Sequence, residues 1–123
     1  DFEHRSYGEE LALCQRYFLM YAEGDNSPLG MIDFSLSNFL NLKVSFPVAM
    51  RTNPSMACTN ATDYYTAYSR DVEDHYQGLT QRNSSPHGAC LYSAGGLSGN
   101  TAGSAGISFT NHANASLSFS AEL

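Results

Sequence analysis

Tryptophan is absent from this 123-residue chain, and charged side chains make up only 15% of it, well below the usual quarter. No apolar run approaches the roughly 18–20 residues that a membrane-crossing helix needs, which excludes a spanning segment of that kind. Six basic residues face twelve acidic ones, for a formal net charge of −6. That balance argues against a nucleic-acid partner, which would need a basic stripe, and against insertion into or adsorption on an anionic membrane. No leader pattern is read ahead of Asp1. Cysteine is also scarce. Cys14, Cys58 and Cys90 are an odd number and cannot all pair within one chain. All three are expected to be reduced, buried small hydrophobes of a protein made in a cytosol. The Asn-x-Ser/Thr triplets at Asn60, Asn83 and Asn114 are put down to chance in a chain rich in those residues.

One stretch reads as a helix. Ser6 followed by Glu9 is a capping box, and Glu9 and Glu10 suit the positive end of a helix dipole. Tyr7, Leu11, Cys14 and Phe18 recur at the spacing of one buried face, so a helix over about 6–18 is expected to dock on the rest of the fold. Residues 1–5 are a short lead into it, as expected of a piece cut from a longer protein.

The remainder reads as strands. Ile32, Phe34 and Leu36 alternate with polar neighbours, and Leu40, Leu42, Val44 and Phe46 do so more cleanly until Pro47 removes a ladder donor. Residues 16–21 are expected to be extended, as are 55–60, with Met56 and Cys58 inward. A strand is expected over 64–72, polar turns over 71–85 and a short strand over 88–92. The Gly/Ser-rich stretch 93–106 is expected to be a mobile or partner-ordered loop. Ala105, Ile107 and Phe109, then Ala115, Leu117, Phe119, Ala121 and Leu123, complete the pattern. Roughly seven strands separated by turn signals predict one domain over 1–123, an antiparallel β-sandwich of jelly-roll type with one short amino-terminal helix.

Residues 2–18, Phe-Glu-His-Arg-Ser-Tyr-Gly-Glu-Glu-Leu-Ala-Leu-Cys-Gln-Arg-Tyr-Phe, resemble a segment of tail-fibre and tailspike-type structural proteins of tailed bacteriophages. Phe46-Pro47, Met50-Arg51 and Pro54 resemble a second short pattern of that family, and Ala121-Glu122-Leu123 its ending. The resemblance implies a carboxyl-terminal virion module that follows upstream fibre domains of the same chain. It further implies a homotrimer that attaches to a host cell-surface glycan or protein and is made in the host bacterial cytoplasm. A capsid decoration or head-fibre domain, or a non-viral carbohydrate-binding module, remains an alternative. The family offers no catalytic pattern to transfer.

Residue chemistry gives no enzyme, metal or cofactor. Asp71, Glu73, Asp74 and His75 carry hard ligands but lack EF-hand spacing, and read as a solvated acidic turn. His87 and Cys90 with distant Cys58 are too few for a zinc site, and as a nucleophile pair they have no orienting third group. Gly95, Gly96 and Gly99 lack the lysine and helix of a phosphate loop. Glu23, Asp25 and Asp33 could serve as glycosidase carboxylates only at a separation that sequence does not give. Tyrosine is the positive signal, with eight in the chain. It offers flat apolar area and a hydroxyl at low entropic cost, and Tyr64, Tyr65, Tyr68 and Tyr76 are the candidate receptor-binding residues.

Overall fold

Alternation of side chains builds most of this molecule, and the computed structural model, which describes residues 6–94, 96–98 and 100–121, shows where each face goes. Among the described residues one helix, α1 (Tyr7–Gln15), precedes ten strands. These are β1 (Phe18–Glu23), β2 (Pro28–Leu36), β3 (Phe39–Ser45), β4 (Ser55–Cys58) and β5 (Tyr65–Ser69). They continue with β6 (Val72–Tyr76), β7 (Thr80–Ser85), β8 (Gly88–Ala94), β9 (Ala105–Thr110) and β10 (Ser116–Ser120). A three-stranded sheet has the order β1-β10-β4, and a seven-stranded sheet the order β6-β5-β9-β2-β3-β8-β7. Every pairing among the described residues is antiparallel. The mainly β, antiparallel sandwich read from the sequence is the observed architecture.

The core lies between the two sheets. Leu40, Leu42 and Val44 of β3 are buried while Lys43 and Ser45 between and beside them are exposed. Leu117 and Phe119 of β10 are buried in the same way and meet a cluster containing Ile32, Phe34, Leu42 and Leu91 of the larger sheet. Burying each such side chain contributes about 1.5–3 kcal/mol. The larger sheet therefore has one face against the core and one open face.

Several expectations are corrected. The helix is capped as read, with the Glu9 amide donating to Ser6 Oγ at 3.2 Å, but none of its residues is buried. Tyr7 and Leu11 are 81% and 42% exposed, Cys14 is exposed rather than buried, and Phe18 belongs to β1. An apolar stripe states which face would be covered, not that the same chain covers it. Leu36 points outward, 57% exposed, because the β2–β3 register slips between Phe34 and Leu36. Such a slip reverses the side-chain alternation beyond it.

The single strand expected over 64–72 is a hairpin, β5 and β6 joined at Arg70 and Asp71 with φ of 52° and 61°. Positive φ at both central residues is the geometry of a type I′ turn, which Asn-Gly normally announces and Arg-Asp does not. Residues 71–85 then supply two strands instead of polar turns. One is β7, a wholly polar strand that pairs only with β8 at the sheet edge. Polar edges resist pairing with other chains, so the absence of an apolar period there has a physical reason. The described part of the Gly/Ser-rich stretch is held by its own chain. The Ser98 amide and Asn100 Nδ2 donate to Asp74 Oδ2 at 2.8 and 2.9 Å, and Leu97 is buried. Gly95 and Gly99 lie outside the described residues, as do Glu122, Leu123 and residues 1–5.

Close packing between β9 and β5 gives one direct test. A Cβ on Gly106 would fall 2.1 Å from the Tyr68 carbonyl oxygen. Backbone cannot yield there as a side-chain tip would. Gly106→Ala is expected to cost about 1–3 kcal/mol of stability, measured by urea unfolding.

Candidate contact surface

The four tyrosines singled out by sequence separate into two pairs. Tyr65 and Tyr76 are fully buried, stacked at 5.5 Å with 24° between their planes. Tyr65 Oη donates toward the carbonyls of Thr59 and Ser116, at 2.7 and 3.1 Å, with Cys58 Sγ at 3.2 Å. Ser108 Oγ donates to the Thr66 carbonyl at 2.8 Å, which leaves it to accept from Tyr76 Oη. Burial pushes both phenols above their ordinary pKa. These two are core residues and present nothing to a receptor. Neither is a surface contact, contrary to the expectation from sequence.

Tyr64 and Tyr68 remain accessible in part. Tyr64 is half-buried and stacks on His112 at 4.1 Å. Tyr68 is 38% exposed on the open face of β5, and its hydroxyl donates to Asp71 Oδ1 at 2.8 Å. That bond raises the Tyr68 pKa by favouring the neutral phenol beside a carboxylate.

Strand register sets Tyr68 in a row. It pairs with Ile107 on β9, and Ile107 pairs with Met31 on β2. Ile107 and Met31 are 50% and 77% exposed, so three neighbouring strands present a contiguous apolar row on the open face. On one side of Met31 lies a mostly apolar depression of about 440 Å³ against Pro28, Gly30 and Phe109. On the other side, a second of about 460 Å³ is lined by Met31, Asp33, Asn41, Lys43, Arg82 and Ala105.

This second depression has the richer chemistry. Phe39 and Tyr92 stack beside it at 5.3 Å and 9°, and the Arg82 guanidinium lies 5.7 and 5.0 Å from their ring centroids. Asn41 Nδ2 donates to Asp33 Oδ1 at 3.1 Å and to Ser35 Oγ at 3.2 Å. Among the described residues neither Lys43 nor Arg82 forms an ion pair with a carboxylate. Lys43 is the only lysine of the chain. Sequence reasoning missed Phe39, Asn41, Lys43 and Arg82 as a group. Their signal was present as the outward positions of β3, but nothing in one strand reveals that β7 brings Arg82 to them.

The other candidate chemistries do not assemble. Asp74 accepts from Ser98 and Asn100, His75 Nδ1 lies 3.0 Å from Thr66 Oγ1, and Asp71 accepts from Tyr68. Glu73 and His75 pair opposite Tyr68 and Thr66, while Asp74 between them points to the other face. Among the described residues no group of three or more His, Cys, Asp or Glu is placed to hold a metal ion. Cys58 lies in the small sheet and Cys90 in the large one, and burial raises the Cys58 thiol pKa, away from the reactive thiolate. Of Glu23, Asp25 and Asp33, only Asp33 lines a described depression of the open face.

Fold and surface together define a two-sheet antiparallel β protein whose larger sheet has one patterned face that the described residues leave uncovered. Comparison of the chain with protein-family models, curated proteins and solved structures finds no match.

Proposed function

We propose that this protein is a non-catalytic attachment module of a bacteriophage tail-fibre or tailspike-type appendage, assembled as a homotrimer and contacting a glycan or protein on the host surface. Helix α1 carries the reading. A nine-residue helix is marginal alone in water, yet this one is capped and none of its residues is buried. Among the described residues, six of the eleven large exposed apolar side chains, Tyr7, Leu11, Leu13, Tyr17, Phe18 and Met20, fall between the start of α1 and the start of β1. A second and third copy supply the cover that this segment lacks among the described residues of its own chain. The resemblance of residues 2–18 to the fibre family supports the same conclusion. Assembly through the amino-terminal segment leaves the open face of the seven-stranded sheet free for the host.

Sedimentation of the full chain at micromolar concentration is expected to give three times the 13.4 kDa chain mass. Leu11→Glu is expected to return it to a single chain with its circular dichroism unchanged, because Leu11 has no place in the core. A wild-type monomer would contradict the assembly. For attachment, the labelled chain is applied to an array of bacterial capsular and lipopolysaccharide glycans and to whole bacteria. Retention on none of them would contradict that role.

A further inference from the structure

We propose that the depression between β2, β3, β8 and β7 is a binding site for a carboxylated saccharide. Lys43 and Arg82 supply two cationic groups, Asp33 a single carboxylate, and the spot is locally positive on a chain of net charge −6. Two of the six basic residues of the molecule are thus spent on one depression, without ion-pair partners among the described residues. Arg82 is held over the Phe39 and Tyr92 rings, which fixes its direction and lowers the entropy lost on gripping an anion. Asp33, Asn41 and Ser35 form a hydrogen-bonded set beside the cations. Such a set accepts and donates toward hydroxyl groups. Met31, Ala105 and Cys90 line the same depression and offer apolar contact to C–H faces.

The combination selects a ligand class. A phosphate polymer such as a nucleic acid would meet Asp33 and the overall negative charge with no basic stripe to offset them. An acidic peptide brings the carboxylates but few hydroxyls for Asp33 and Asn41. A uronic-acid type saccharide brings carboxylate, hydroxyls and apolar ring faces together. The open volume of about 460 Å³ falls in the range of small-ligand sites. This inference deepens the attachment reading, on which it rests only for the source of the saccharide.

The test is a titration of the isotopically labelled full chain, followed by amide chemical shifts, with trigalacturonic acid, maltotriose and inorganic phosphate as probes. Trigalacturonic acid is expected to shift the signals of Asp33, Asn41, Lys43 and Arg82, at least about tenfold more tightly than either other probe. Lys43→Ala and Arg82→Ala, both at exposed positions, are each expected to weaken it by about tenfold or more while Val72→Ala, exposed on β6 away from the depression, does not. Binding is expected to fall as salt approaches 1 M, where the screening length is roughly 3 Å. Absence of shifts, equal affinity for maltotriose, or equal affinity for phosphate would each overturn the proposal. Retention on bacteria or glycan arrays that survives Lys43→Ala with Arg82→Ala would overturn this site and leave the attachment reading intact.

Discussion

Phe119→Ala is expected to lower the free energy of unfolding by about 3–5 kcal/mol, the cost of a large cavity in a close-packed core. Phe119 is fully buried on β10, the middle strand of the small sheet. Its ring meets Phe46 at 4.9 Å, tilted, and Tyr21 edge-on at 6.3 Å. Phe46 lies just beyond β3 of the large sheet and Tyr21 on β1 of the small one, so a single ring joins both layers and the strand beside it. Domains of this size have about 5–15 kcal/mol in total, so the substitution removes a large share of it. Urea unfolding should show a lower midpoint with little change in slope. A loss below about 1 kcal/mol would mean that the sheets are held apart or together by something else.

Alkaline pH is expected to unfold the protein steeply, and the buried tyrosine pair sets where. Tyr65 and Tyr76 have folded pKa values pushed above the ordinary 10.0, chiefly by burial. Below pH 10 both phenols are neutral whether the chain is folded or unfolded, and their contribution is fully present. Above it the unfolded chain releases protons that the folded chain retains, so stability falls as pH rises toward the folded values. Each phenol that must stay neutral costs about 1.4 kcal/mol per pH unit, so the pair costs roughly 3 kcal/mol per unit. Cys58, also pushed up by burial, begins the decline near its ordinary 9.0. Removing both hydroxyls, Tyr65→Phe with Tyr76→Phe, should flatten the dependence above pH 10. The same change costs about 1–3 kcal/mol per hydroxyl at neutral pH, because their buried partners are left unsatisfied. Urea midpoints between pH 8 and 11 measure both effects, and an unchanged slope in the double variant would contradict the assignment.

The strands were legible wherever one face is buried and the other wet. Leu40, Leu42 and Val44, and Leu117 and Phe119, show the alternation that burial on one side imposes. Legibility fails where a different force governs. β7 carries no apolar period because an edge strand gains from being polar. The turn at Arg70 and Asp71 has left-handed backbone without the residues that usually mark it, so two strands read as one. Tyr65, Thr66 and Ala67 are buried in succession, which erases the period that would say which tyrosine faces out. This is why two of the four candidate tyrosines proved to be core. The depression around Lys43 combines β2, β3, β8 and β7, and such a site depends on strand order, which no local pattern states. The amino-terminal stripe is legible as apolar, but no local pattern states what covers it, and the described residues leave it exposed.

Amide hydrogen exchange along α1, followed as the full chain is diluted, probes most directly whether other copies cover the helix. Residues 7–15 are expected to be protected at tens of micromolar and to lose that protection together on dilution, while the amides of β3 and β8 stay protected throughout. Exchange of residues 7–15 at unstructured rates at every concentration, or protection independent of concentration, would contradict assembly through the amino-terminal segment.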